Sequence, residues 1–172
     1  MKTIRVILII ISIFVLGFLA TGLVIRDTSY TAKVLVERPI EAVFESFTQM
    51  DSVKNWIPEI KSIEVFQNNI GVAGSAYKVV VLNQGQEIVM TKKIVAYVPN
   101  EKITLFYDAE NMLKKDDFIF TRENGKTRIS LQASCQSESF LMGCMFPYFK
   151  GTFRAQDQSY LENFKKYIEA KR

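Results

Sequence analysis

The sequence predicts an α+β protein: one curved antiparallel sheet of seven strands closed by a long C-terminal helix, carried behind an N-terminal membrane-spanning helix. Three observations predict it. Residues 6–25 are an unbroken apolar run with no charged side chain. Between Ile60 and Cys135 apolar residues recur with period two, interrupted by hairpin punctuation. Beyond Cys135 the spacing lengthens to that of a helix, which continues almost to the end of the chain.

The leader, VILIIISIFVLGFLATGLVI, opens on Val6 and closes on Ile25, with Lys2 and Arg5 just before it. At about 1.5 Å per residue, such a run matches the roughly 30 Å hydrocarbon slab of a bilayer. A cleavable signal has a shorter apolar core, about 7 to 15 residues, followed by a small-residue cleavage site. Here the run ends in Val24, Ile25 and Arg26, with only Ala20 and Gly22 as a weak cleavage pair, so a retained single-pass anchor is expected. Lys2 and Arg5 favour a cytoplasmic N-terminus and an extracytoplasmic domain, against the pull of Arg26 and Lys33. Residues 1–26 are therefore read as the anchor and residues 27–172 as one ligand-binding domain.

Composition excludes several classes of function. The chain carries 22 basic and 18 acidic residues; setting aside Lys2, Arg5 and Arg26 leaves 19 against 18, a net of +1. Nucleic-acid binders draw affinity from a basic face, and none is visible here. There is no histidine, so Ser-His-Asp and Cys-His nucleophile arrangements and histidine zinc sites are excluded. Cys135 and Cys144 form neither a CxxC pair nor a four-ligand metal site and are expected to be buried free thiols. No cofactor or metal is implied, and the oligomeric state is left open.

The elements follow in order. Residues 30–37 alternate as a first strand, only a short tether beyond the leader, which holds the domain against the membrane. Pro39 suits a first helical position and Glu41 the positive end of a helix dipole. Ile40, Val43, Phe44 and Phe47 then share one face. Asp51 is placed to cap a second short helix, Ser52 to Trp56, ended by Pro58.

Six further strands are read from Ile63 and Val65; Tyr77, Val79 and Val81; Ile88, Met90, Ile94, Ala96 and Val98; Ile103, Leu105 and Tyr107; Phe118 and Phe120; and Ile129, Leu131, Ala133 and Cys135. The turns fall at Asn69-Ile70-Gly71, Asn83-Gln84-Gly85, Pro99-Asn100 and Asn124-Gly125, the last with the composition of a type I′ hairpin. Phe149, Phe153, Tyr160, Leu161, Phe164 and Ile168 mark the terminal helix, with Lys165, Lys166, Lys171 and Arg172 near its negative end. It is the only element long enough to cover the sheet.

This order, with Val36-Glu37-Arg38-Pro39-Ile40-Glu41-Ala42-Val43-Phe44, Trp56-Ile57-Pro58-Glu59-Ile60 and Leu161-Glu162-Asn163-Phe164-Lys165-Lys166-Tyr167-Ile168-Glu169, resembles the START-related (SRPBCC) superfamily. The likeness is nearest to its polyketide cyclase/dehydrase and lipid-transport branch. It implies the helix-grip fold of the birch pollen allergen, with an apolar ligand held between sheet and C-terminal helix. A bent sheet gripping one helix seldom fills its interior, and large side chains line what remains. The candidate ligand-binding residues are Trp56, Tyr77, Met90, Tyr107, Phe118, Phe120, Phe153 and Tyr160. The three tyrosines are the strongest, because a buried hydroxyl needs a partner.

Lys92 shares the alternation of Met90 and Ile94; a bulge at Lys92-Lys93 returning both to solvent is expected in preference to an inward ammonium. Residues 140–149, FLMGCMFPYF, form an uncharged connection before the long helix. They pack either as its first turn or as a hydrophobic lip near lipid.

The function expected is a membrane-tethered binding module or carrier for a lipid, quinone or polyketide-like molecule. The alternative is a cyclase or dehydratase drawing its acid and base from Tyr77, Tyr107, Glu87, Asp108, Asp157 or similar groups; none of these is identified as catalytic. A third reading is a partner-binding domain using the sheet edge or the lip.

Overall fold

The structure is a computed structural model and describes residues 2–69, 72–83 and 85–171. It comprises α1 (Lys2–Val24), β1 (Thr28–Val36), α2 (Ile40–Thr48), a short 3-10 helix (Met50–Asn55), β2 (Ile60–Gln67), β3 (Ala76–Asn83), β4 (Gln86–Val98), β5 (Lys102–Ala109), β6 (Met112–Glu123), β7 (Lys126–Gln136) and α3 (Phe140–Ala170). The strands form one seven-stranded sheet in the order β1-β7-β6-β5-β4-β3-β2, every pairing antiparallel. Strands β2 to β7 are a meander, and β1 returns to pair with β7 along its whole length, from Thr28↔Cys135 to Val36↔Thr127. This is the α+β helix-grip architecture the sequence implied.

Two local expectations need correction, and a third is resolved. Pro39 sits one residue earlier than expected, at the N-cap of α2 with φ −61, where its fixed torsion still suits helix entry. The second helix begins at Met50 and is 3-10, with no side-chain cap from Asp51. Residues 140–149 form no separate connection: helix starts at Phe140, which bears out the reading that places them at the start of the long helix, with Cys144 and Phe146 buried.

The hairpin turns explain much of the register. Asn124 (φ 51) and Gly125 (φ 79) both occupy the left-handed region, as a type I′ turn requires. Asn100 is also left-handed, at φ 63. The β5–β6 hairpin turns on Glu110 (φ 37) and Asn111, which lack a glycine or proline to mark them. The expected turns at Asn69-Ile70-Gly71 and Asn83-Gln84-Gly85 include residues outside those described.

Helix α3 runs in the same direction as β1 and seals its free edge. Gln158 accepts from Lys33 N (3.1 Å) and donates to Lys33 O (3.0 Å), while Glu169 accepts from Glu37 N (2.7 Å). The backbone groups of Lys33 on the edge strand, and of Glu37 just beyond it, are thereby satisfied by side chains of the covering helix. Its other end meets α1. Thr21 Oγ1 lies 3.2 Å from the Cys144 carbonyl, the Phe18 and Tyr148 rings stack at 6.0 Å, and a Cβ on Gly22 would collide with Cys144 Sγ. Glycine is required at position 22 for this close crossing.

Candidate functional site

The inner face of the sheet can be read rung by rung from the end next to α1. The first rung is Tyr77, Lys92, Tyr107, Lys114, Cys135 and Thr28, each the direct partner of the next across β3, β4, β5, β6, β7 and β1. The second is Ile94, Leu105, Asp116, Ala133 and Tyr30; the third is Tyr97, Ile103, Phe118, Leu131 and Ala32. Phe120, Ile129 and Val34 follow. Polar groups crowd the first two rungs, and rings and aliphatic chains fill the rest.

The far half is a closed aromatic core under α2. Phe47 lies 5.1 Å from Trp56, 4.8 Å from Phe118, 5.3 Å from Phe120 and 5.0 Å from Phe164, measured between ring centroids, and Trp56 meets Phe164 at 5.4 Å. Offset and edge-on contacts at these distances suit aromatic quadrupoles. Three candidates from the sequence, Trp56, Phe118 and Phe120, belong here and are buried. The other five, Tyr77, Met90, Tyr107, Phe153 and Tyr160, are half-buried in the half nearer α1.

That nearer half holds a charged cluster. Lys114 Nζ bridges Asp116 Oδ2 (2.9 Å) on its own strand and Asp157 Oδ2 (2.8 Å) on α3. Tyr30 donates its hydroxyl to the same Asp157 oxygen at 2.7 Å, and Cys135 Sγ lies 4.0 Å from the Tyr30 oxygen. Strand β4 contributes Lys92, only 6% exposed. Its hydrogen-bond partner among the described residues is Met50 Sδ at 3.6 Å, a weak acceptor for an ammonium. Asp116 Oδ1 is also buried and, among the described residues, has no hydrogen-bond partner; Trp56 Nε1 is in the same condition.

Lys92 corrects a sequence expectation. The β4 bulge lies between Ile94 and Ala96, two residues later than expected, so Lys92 keeps the inward parity of Ile94 while Lys93 points to solvent. Beyond the bulge the parity flips: Tyr97, rather than Ala96 and Val98, turns inward to meet Phe44 at 5.3 Å.

Burial dominates the electrostatics. It lowers the Lys92 ammonium to about 8, with the Asp116 charge opposing. Asp116 is pushed up to about 6 by burial, against the attraction of Lys114. For Lys114 burial acts downward, but the Asp116 and Asp157 carboxylates win and hold it well above the ordinary lysine value. Burial likewise raises the Tyr30 and Tyr107 hydroxyls, lifts the Cys135 thiol to about 11, and lifts Tyr160 to about 12. Both cysteines are free and buried, as expected. Of the other acid-base candidates, Glu87 is exposed and paired with Lys61 and Asp108 is exposed, so neither belongs to this interior.

Two open concavities lie elsewhere. One, of about 650 Å³, is formed by α1 and Tyr148; the other, of about 540 Å³, runs along β1, β7 and α3 beside Asp117, Lys150 and Arg154. Neither lies between the sheet's inner face and α3. No group of three His, Cys, Asp or Glu side chains converges as a metal site among the described residues.

Sheet, helix and enclosed polar interior together define an SRPBCC-type domain with the helix-grip fold. Residues 37–169 match the Activator of Hsp90 ATPase homolog 1-like protein family, and the chain belongs to it. Solved structures with the same fold include Ara h 8.0201 (14% identity, TM-score 0.67, covering 84% of this chain and 99% of that one). The Zhui aromatase/cyclase of a Streptomyces species superposes at TM-score 0.71 with 11% identity, over 83% and 94% of the two chains. The di-domain aromatase/cyclase StfQ of the steffimycin biosynthetic pathway gives TM-score 0.68 with 11% identity, covering 83% of this chain and 51% of that one. At such identities the likeness shows the fold alone. No curated relative matches in sequence.

Proposed function

We propose that this chain is a membrane-tethered binding module for a largely apolar small molecule bearing an oxygen, of lipid, quinone or polyketide-like chemistry. The guest occupies the half of the interior next to α1, displacing the half-buried Tyr77, Met90, Tyr107, Phe153 and Tyr160 and resting on the floor made by Trp56, Phe118 and Phe120. The observation that carries this reading is the pair of unanswered groups on neighbouring rungs, the Lys92 ammonium and Asp116 Oδ1. A buried charge without hydrogen bonds is costly, and a ligand that supplies them gains the difference on binding.

Charge selects the headgroup. Lys92 and Lys114 balance Asp116 and Asp157, and Glu59 Oε2 is a further buried oxygen without a hydrogen bond, so the interior lacks hydrogen bonds and carries no surplus of positive charge. A hydroxyl or carbonyl oxygen accepts from Lys92 without disturbing that balance. A hydroxyl also offers Asp116 a proton. The apolar span within α1, 22 residues from Thr3 to Val24 at mean hydropathy 2.8, anchors the domain beside lipid, and Lys2 and Arg5 favour residues 27–172 on the extracytoplasmic side.

Thermal unfolding of the full chain in mild detergent, with dodecan-1-ol or dodecane added, tests the assignment. The alcohol should raise the melting temperature more than the alkane in the native chain, and Lys92→Met should erase that difference. Equal response to both compounds, or to neither, would contradict the reading. A second reading, a cyclase or dehydratase acting on the same guest, is favoured by one observation: Asp116, at about 6, can exchange a proton near neutrality. In that case Asp116→Asn abolishes turnover while binding persists.

A further inference from the structure

We propose that Lys92 is a nucleophile as well as a hydrogen-bond donor: its amine condenses reversibly with the carbonyl carbon of a long-chain aldehyde or ketone and holds the guest as an imine. This rests on the guest site described above and selects a carbonyl over a hydroxyl at the polar end of the guest.

The two inward lysines differ in what surrounds the nitrogen. Lys114 Nζ meets three carboxylate oxygens, Asp116 Oδ2 at 2.9 Å and Asp157 Oδ1 and Oδ2 at 3.0 and 2.8 Å. Its N–H groups all have ionic acceptors, so it stays protonated and has no lone pair to offer. Lys92 sits in register between Tyr77 and Tyr107, is buried, and among the described residues forms no ion pair and has the Met50 thioether as its hydrogen-bond partner. Little there holds a proton in place of water, and burial favours the neutral amine, which is the nucleophilic form. Met50 is an unbranched, half-buried side chain at the first position of the 3-10 helix, able to rotate aside and give its place against the nitrogen to a carbonyl group.

The reaction closes with groups already present. The ammonium loses one proton to water. The freed lone pair attacks the carbonyl carbon, the C=O π pair moves to oxygen, and a proton passes from nitrogen to that oxygen to give a carbinolamine. Asp116 lies on the next rung, near enough for its charge to act on Lys92; its Oδ1 has no hydrogen bond among the described residues, and at about 6 it is in part a neutral acid at neutral pH. Its proton turns the departing hydroxyl into water as the nitrogen lone pair closes the C=N bond, and its carboxylate then takes the remaining proton from nitrogen. One water is released, and nothing is oxidised or reduced. The neutral imine removes a buried charge, and exclusion of water from a side chain only 6% exposed holds back the reverse hydrolysis.

The full chain in mild detergent, incubated at neutral pH with limiting dodecanal and sodium cyanoborohydride, tests this. The reductant adds hydride to the imine carbon and leaves a stable secondary amine, and fragment mass spectrometry of the digested chain locates the dodecyl group. Lys93, the next residue, is exposed and serves as the internal reference. A lysine lowered to about 8 holds far more neutral amine at neutral pH than one at the ordinary value, and after allowance for its lower basicity Lys92 should carry about tenfold more label than Lys93. Label on Lys92 equal to or below that on Lys93 overturns the proposal. The melting-temperature rise with dodecan-1-ol then separates the causes: a rise that depends on Lys92 shows that only the covalent step is wrong, whereas no rise shows that the guest site has failed with it.

Discussion

The two halves of the interior use the same scaffold in opposite ways. Under α2, Phe47, Trp56, Phe118, Phe120 and Phe164 fill the space between sheet and helix with rings at contact distance. Next to α1 the same strands present Lys92, Lys114, Asp116 and Tyr30: Lys114 and Tyr30 are joined to Asp157 of α3, while Lys92 meets Met50 Sδ and Asp116 Oδ1 has no hydrogen-bond partner among the described residues. The first half is built for stability. The second accepts a standing electrostatic penalty, which is expected where a site awaits a partner.

Substitutions can sharpen that contrast. The largest loss should follow Phe164→Ala in the closed half, where a fully buried ring touches Phe47 and Trp56: about 3 to 5 kcal/mol by denaturant unfolding in detergent. In the charged half Lys114→Met should destabilise by a comparable or slightly smaller amount, about 3 kcal/mol, because it leaves the Asp116 and Asp157 carboxylates facing each other without their cation. Lys92→Met should act in the opposite direction. A fall from 10.5 to about 8 corresponds to about 3 kcal/mol of penalty at neutral pH, so removing the amine should raise stability by up to that amount. A loss of stability on Lys92→Met would break the comparison.

The pH profile gives a smaller and more specific signal. Asp116 is raised from 3.8 to about 6, so its contribution is present in full below 3.8 and is lost as pH climbs through 6. Lys92 is lowered, so its contribution is present above 10.5 and is lost as pH falls through 8. Together these groups predict a minimum of stability between pH 6 and 8, measured as melting temperature across a buffer series that stops near pH 9, above which the raised Cys135, Tyr30 and Tyr107 groups act in the opposite direction to Lys92. Asp116→Asn should remove the acidic limb and Lys92→Met the alkaline one. The smallest effect should be that of Gly22→Ala, which disturbs only the α1–α3 crossing; it should leave domain unfolding nearly unchanged while weakening protection of the α3 start from proteolysis.

The contrast also marks where sequence reading succeeds. Period-two runs and turn chemistry gave every strand and the Asn124-Gly125 hairpin, since these depend on neighbours along the chain. The charged cluster was partly within reach. Phe118 and Phe120 point inward, and carrying their alternation back two and four residues turns Asp116 and Lys114 inward as well. The parity of Lys92 was likewise visible. What hid its direction was the bulge: Ile94-Val95-Ala96-Tyr97-Val98 contains no glycine to place it, and only pairing with β5 does so. Tyr30 and Asp157 meet across α3 and β1, far apart in sequence, and the crossing of α1 over α3 is tertiary in the same sense.

Native mass spectrometry of the full chain released from mild detergent tests the central claim most directly. The account predicts a small molecule of apolar character retained by the native protein and lost from the folded Lys92→Met variant. A native chain that carries no such molecule, or a Lys92→Met chain that keeps it equally well, would contradict the account.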